Sequence, residues 1–144
     1  MPLTAGIESP AGQTDARALS LTLRITNSED RTISILNPDL GVPSPRMNWP
    51  ESNEVYRTFL LISFGYLSIR VTDDAGKELP QRMFTISATP ALRPPIELAQ
   101  GDSLEVKIAI GSFYQLEPNE AYEVAIEYGD EDLKVSARTR FVVP

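Results

Sequence analysis

Apolar and polar residues alternate with a period of two along much of this chain. Residues 19–25 place leucine or isoleucine at every odd position, with serine, threonine or arginine between them. The same alternation returns in four later stretches, at residues 67–71, 104–110, 122–128 and 133–143. A period of two is typical of β-strands that bury one face and expose the other. The pattern therefore predicts a chain built mainly from half-buried strands.

Turn residues separate several of these stretches. Residues 27–30 carry polar side chains that can bond their own backbone, so residues 19–25 and 31–36 are predicted to pair as a hairpin. Residues 73–77 predict a tight turn in which glycine supplies a positive φ. Both features are typical of a chain of short antiparallel strands.

Three further segments complete the expected set of elements. Residues 81–88 are predicted to be a strand, and residues 96–98 a short extended piece. Residues 55–64 fit either a short helix or a strand, and we assign their second half to a strand because it is rich in β-branched and aromatic residues. The sum is seven to nine short strands and no convincing long helix, which predicts an all-β sandwich or barrel.

The composition fits one domain with a packed interior. The chain has 144 residues, of which 42% are hydrophobic. Residues 1–17 contain two prolines and two glycines among small polar residues, so they are predicted to be a flexible lead-in. Residues 18–144 are predicted to form the domain itself.

The missing residue types limit the chemistry. Cysteine and histidine are absent, which excludes disulfides and thiolate metal sites and removes the commonest general base. The net charge of -7 would repel phosphate backbones and anionic membrane surfaces. We therefore expect no enzyme activity, no cofactor, no metal, and neither nucleic acid nor membrane as a partner.

The ends of the chain leave its location open. The first sixteen residues have neither a basic n-region nor an apolar h-region, and no apolar run reaches the roughly 18 residues of a membrane helix. Two alternatives follow. The protein is cytoplasmic if Met1 is the native start, or it is exported and its leader is absent from this sequence.

One motif predicts a particular kind of sandwich. The spacing of Leu116, Pro118 and Tyr122 resembles the tyrosine corner of immunoglobulin-like and fibronectin type III domains. In that corner a buried tyrosine bonds backbone a few residues upstream, proline stiffens the crossing and leucine plugs the core edge. Asn119 stands where glycine is often found, and asparagine tolerates positive φ. The resemblance implies an immunoglobulin-like antiparallel β-sandwich in which these three residues have structural roles.

A narrower resemblance covers most of residues 19–128. The order "Leu98-x-x-Gly-Asp-Ser-Leu-Glu-Val", "Phe113-Tyr-x-Leu" and "Ala-Tyr122-Glu-Val" resembles the immunoglobulin-like domain preceding the catalytic domain of deuterolysin-type and peptidyl-Lys metalloendopeptidases. The early "Leu-x-Leu-x-Ile-Thr-Asn27" also resembles intracellular proteinase inhibitors of the BsuPI type. The peptidases carry an HExxH zinc helix that a chain without histidine cannot form. The resemblance therefore implies only a module that binds or chaperones another protein.

Clustered carboxylates suggest calcium or glycosidase chemistry, but a simpler interpretation is available. Residues 73–74 and 130–132 lie at predicted turns without EF-hand spacing, so we expect solvated hairpin tips. Glu123 and Glu127 have the parity opposite to Tyr122, so they should face solvent. No serine has a nucleophile motif around it.

Two proline-rich loops carry the binding hypothesis. Residues 37–54 and 89–95 are predicted to project from a rigid scaffold, and aromatic side chains on stiff loops are typical interface anchors. The candidate contact residues are Met47, Trp49, Tyr56, Leu92 and Arg93. Trp49 could instead cover the end of the sandwich. We expect a non-catalytic, accessory or inhibitor-like module whose partner is another protein. The alternatives are a structural subunit that self-assembles into a homo-oligomer and a carbohydrate-binding module.

Overall fold

The computed structural model describes residues 3–8, 19–40, 53–82 and 93–143. In chain order their elements are β1 (Leu3–Glu8), β2 (Leu21–Asn27), β3 (Ile33–Ile35), α1 (Asn53–Ser63), β4 (Leu67–Asp73), β5 (Ile96–Leu98), β6 (Ser103–Ile108), α2 (Ile110–Phe113), β7 (Ala121–Gly129) and β8 (Lys134–Val142). Strands dominate the described part of the chain, so the predicted all-β class is confirmed.

The strands form three antiparallel sheets. Sheet I has the order β1-β2-β6, sheet II pairs β3 with β5, and sheet III has the order β4-β7-β8. Strand β1 contacts β8, while α1 contacts both β6 and β4. Sheets I and III therefore approach each other at one pair of edge strands, and α1 bridges the opposite pair.

The core lies along the predicted apolar parity. The odd positions of β2 and the even positions of β7 are buried, whereas Arg24, Glu123 and Glu127 between them are exposed. Leu21, Leu23 and Ile25 are fully buried, and each such side chain stabilises the fold by about 1.5 to 3 kcal/mol.

The predicted hairpin between residues 19–25 and 31–36 is wrong. Strand β2 pairs with β1 and β6, while β3 pairs with β5 in a different sheet. Asn27, at the end of β2, is fully buried and donates its amide to the carbonyls of Arg31 and Leu98. The turn therefore carries the chain from sheet I to sheet II instead of folding it back beside β2.

The strand assigned to the second half of residues 55–64 is also wrong, because α1 spans Asn53–Ser63. Gly65, at φ 79°, ends the helix: its N–H donates to Ile62, and the N–H of Tyr66 donates to Leu61. These two bonds are the Schellman arrangement, which favours glycine because of its positive φ. Packing against two sheets outweighs the β-propensity of the segment.

The prediction of a flexible lead-in at residues 1–17 also needs correction. Residues Leu3–Glu8 of the predicted flexible lead-in form β1, which pairs with β2 from Leu3↔Asn27 to Glu8↔Thr22. Prolines and glycines around this strand concealed its short apolar alternation. The strand predicted at 81–88 lies largely outside the described residues, and residues 81–82 are not in a strand.

Candidate functional site

The two predicted contact loops meet at their bases. The side-chain amide of Asn37 donates to the carbonyl of Pro94 at 3.3 Å. The guanidinium of Arg93 lies 4.0 Å from the carboxylate of Asp39. Asn37 also accepts the N–H of Asp39 at 3.0 Å, which holds the chain in a tight turn where the loop begins. The described start of loop 37–54 and the described end of loop 89–95, far apart in sequence, therefore lie side by side.

The predicted contact residues differ in their exposure to solvent. Arg93 is exposed, as a contact residue should be. Tyr56 lies in the core at 4% exposure, with its ring centroid 6.4 Å from that of Phe59. Its place as an interface anchor is therefore corrected to a core position, because α1 turns this face inward. Met47, Trp49 and Leu92 lie outside the described residues.

The predicted tyrosine corner is present in the described structure. The N–H of Glu117 donates to the hydroxyl of Tyr122 at 2.9 Å, and the tyrosine is 5% exposed. Leu116 is buried, Pro118 is exposed, and Asn119 adopts φ 66°. These contacts fix the chain where it enters β7.

The carboxylate clusters stabilise turns and strands. Asp73 accepts the N–H groups of Ala75 and Lys77 with one oxygen, and Asp130 does the same for the two residues before β8. Across sheet III, Glu123 and Glu127 lie 3.4 and 3.7 Å from cations on β8. Within residues 3–8, 19–40, 53–82 and 93–143, no three acidic side chains are grouped so that they could hold a metal.

A shallow depression of about 660 Å³ lies on the outer face of sheet III. Ala125 forms its floor, and Arg70 and Arg138 stand opposite it on the two neighbouring strands. Arg70 pairs with Glu78 and Arg138 with Glu123, so both guanidiniums are engaged on the surface. The depression is thus a charge-balanced part of an otherwise acidic molecule.

A second concavity, which the sequence did not predict, lies between α1 and β6. This α1–β6 groove has a volume of about 440 Å³ and is lined by Pro38, Asp39, Glu54, Arg57, Leu61, Glu105, Val106 and Lys107. Pro38 and Asp39, at the start of loop 37–54, form one wall. The groove was missed because the helix that forms its other wall was assigned partly to a strand.

Two buried tyrosine hydroxyls cross-link the fold. The hydroxyl of Tyr128 donates to the carbonyl of Leu36, joining β7 to the end of β3. Burial raises the pKa of Tyr128, and the nearby Asp130 raises it further. The hydroxyl of Tyr114 donates to the carbonyl of Ile69 at 3.0 Å, and burial likewise raises the pKa of this tyrosine. Both hydroxyls therefore have a structural role.

Among the described helices, none has the length and apolarity that crossing a membrane requires. Comparison of the sequence with protein-family models and with curated proteins found no match.

Proposed function

We propose that this chain is a non-catalytic protein-binding module, accessory or inhibitor-like, with an immunoglobulin-like sandwich as its scaffold. Loops 37–54 and 89–95 form its main contact surface. The partner is another protein, which is recognised by residues on both loops. Met47, Trp49, Leu92 and Arg93 are the proposed contacts.

The sandwich assignment is supported by the tyrosine corner and by the arrangement of the sheets. In immunoglobulin-like domains the corner lies where the chain enters a central strand of one sheet. Tyr122 has this position, because β7 is the middle strand of sheet III. The approach of β1 to β8 and the helix across the other edges enclose one core between sheets I and III.

The hydrogen bond between Asn37 and Pro94 is the observation that carries the proposed binding function. It joins the start of one proline-rich loop to the end of the other, across 57 positions of the sequence. Two stiff loops presented together offer a larger continuous surface than either loop alone. Because the cores of standard interfaces need aromatic and arginine anchors in one patch, this juxtaposition supports a single binding surface.

The charge of the molecule predicts the partner's character at this surface. With a net charge of -7, the protein should be attracted to a surface that is basic overall. The affinity should then fall as salt is added, because screening weakens attraction between exposed charges.

Self-assembly through the outer edge of β4 receives less support. The outer edge of β4 is covered by the following segment, since Leu79 donates its N–H to Val71 and Asp73 donates to Lys77. The hydroxyl of Tyr114 covers the carbonyl of Ile69 farther along the same edge. Light scattering at high concentration separates this alternative, because a self-assembling subunit would show a mass that rises with concentration.

The binding function is tested with a loop variant and a matched control. The double variant Trp49→Ala, Arg93→Ala removes one anchor from each loop. Arg31→Ala removes an exposed arginine of another turn that is also paired with an acidic residue. Proteins captured from the native host are purified, and their affinities are measured one by one by calorimetry.

We expect a captured partner to lose about tenfold or more in affinity for the double variant, and to bind the Arg31→Ala protein normally. Equal affinities for wild type and the double variant would remove the loops from the binding surface. If glycans change the fluorescence of Trp49 and no protein partner is captured, the carbohydrate alternative is favoured.

A further inference from the structure

Strand β6 is an edge strand of sheet I, and its free edge faces the α1–β6 groove. Among the described strands, β6 pairs only with β2. Three consecutive residues, Glu105, Val106 and Lys107, line the groove. An unpaired edge in a concave site is the setting in which an extended peptide can add a strand.

The hydrogen-bond alternation of β6 shows which backbone groups are available. The N–H of Asn27 donates to Asp102, and the N–H of Ala109 donates to the hydroxyl of Thr58 on α1. The backbone N–H of Ala109 thus points towards the helix. In an antiparallel strand the backbone groups of every second residue point the same way. The N–H and C=O groups of Glu105 and Lys107 therefore face the groove. No backbone group of another described residue bonds them there.

The charges of the groove indicate what would fit. Its three carboxylates are engaged: Asp39 with Arg93, Glu54 with Ser20 at 2.7 Å, and Glu105 with Arg24. The two cations of the lining, Arg57 and Lys107, form no ion pair within the described part of the chain. Most other lysines and arginines of that part do form one. Glu54 has no cationic partner there either, since the hydroxyl of Ser20 is neutral, so two unpaired cations face one unpaired carboxylate in the groove.

Apolar surface accompanies this charge. Leu61 and Val106 lie behind the lining and are almost fully buried, so Pro38 supplies the accessible apolar wall. The space is bounded by a helix on one side and a strand on the other. At Ala109 the helix itself bonds the edge of the strand, so the edge that stays open is that of Glu105 and Lys107.

We infer that the α1–β6 groove binds an extended segment of a partner protein, which adds as a strand to β6 and places an acidic side chain between Arg57 and Lys107. The backbone of the segment bonds Glu105 and Lys107, and an apolar side chain next to the acidic one packs against Pro38. This inference rests on the proposed protein-binding function and adds a second, chemically distinct contact to it. The partner combines a surface that is basic overall with one acidic strand.

A phage-displayed library of random dodecapeptides, selected on the full-length protein, tests the inference. We expect the selected peptides to place aspartate or glutamate next to β-branched or aromatic residues. On adding such a peptide, the amides of Glu105 and Lys107 should become protected from hydrogen exchange. N-methylation at every second amide of the peptide should abolish binding, and N-methylation at the amides between them should not, because only every second amide donates to β6.

Charge reversal supplies the protein-side test and its control. Lys107→Glu and, separately, Arg57→Glu should each raise the Kd of the selected peptide by about tenfold or more. Lys77→Glu changes the net charge equally, at a turn away from the groove, and should leave the Kd within about twofold of wild type. All three side chains are exposed, so each variant should fold.

Several outcomes would overturn the inference. In the first, the selection yields no acidic peptides. In the second, the amides of Glu105 and Lys107 stay unprotected when peptide is added. In the third, Lys77→Glu and Lys107→Glu change the Kd of the peptide equally. A doubled mass that Lys107→Glu abolishes would instead place a second copy on the edge.

The two proposals fail separately. If the native partner tolerates Lys107→Glu but not the loop variant, only this inference fails. If the selected peptide behaves as expected and the loop variant binds normally, only the loop assignment fails.

Discussion

The side chain of Asn27 donates a hydrogen bond to the carbonyl of Leu98 at 2.8 Å, across 71 positions of the sequence. The same amide donates to Arg31, and its oxygen accepts the N–H of Glu29. One fully buried side chain thus ends β2, shapes the following turn and holds sheet II against sheet I.

Replacing Asn27 with alanine should destabilise the protein by about 2 to 4 kcal/mol, because it leaves two backbone carbonyls without this donor. Urea denaturation followed by circular dichroism measures the loss. Asn37→Ala is the control, since its bonds lie at a more exposed loop base, and it should cost less than about 1 kcal/mol. Equal costs for the two variants would mean that Asn27 does not link the sheets.

The tyrosine corner predicts a smaller, specific effect. Tyr122→Phe keeps the ring, which lies 5.9 Å from that of Phe141, but removes the acceptor for the N–H of Glu117. We expect a loss of about 0.5 to 1.5 kcal/mol in the free energy of unfolding. Tyr66→Phe is the comparison, because no bond of its hydroxyl is seen within the described residues, and it should be close to neutral. A neutral Tyr122→Phe would contradict a stabilising corner.

Gly129 should not tolerate any side chain. It has φ 136°, and a Cβ there would lie 2.0 Å from the carbonyl oxygen of Leu133. Gly129→Ala should therefore cost about 2 kcal/mol or more, through backbone strain and this clash. Gly6→Ala offers the contrast, since a Cβ at Gly6 meets nothing within 4 Å. Thermal unfolding of both variants measures the difference, and similar melting temperatures would contradict the prediction.

Stability should fall at alkaline pH partly because of Tyr128. Burial raises the pKa of Tyr128 in the folded state above its usual value of about 10, so above that pH the unfolded chain loses this proton first. The stabilisation is complete below pH 10 and is lost as the pH rises towards the folded pKa. Urea midpoints of wild type and Tyr128→Phe, measured from pH 9 upwards, should therefore fall more steeply for wild type. Parallel curves would show that Tyr128 ionises equally in both states.

Short-range patterns predicted a large part of the fold. The parity of β2 and β7 was predicted correctly because burial of one strand face depends only on alternation within the strand. The tyrosine corner could also be predicted, since its bond joins residues only five positions apart. Of the proposed contact residues, Arg93 could be placed on the surface from sequence, but Tyr56 could not, because its exposure depends on the orientation of a helix.

The sequence by itself determined the all-β class, the apolar face of most strands and the turn chemistry, because these follow from neighbouring residues. Tertiary structure decided which strands pair, whether residues 53–63 are a helix, and that residues 37–39 lie beside residues 93–94. Each of these depends on contacts between distant segments, such as Thr58 with Ala109 across 51 positions and Asn37 with Pro94 across 57. Local propensity is weaker than the packing of such segments around one core, so only the folded chain brings the α1–β6 groove and its two cations together.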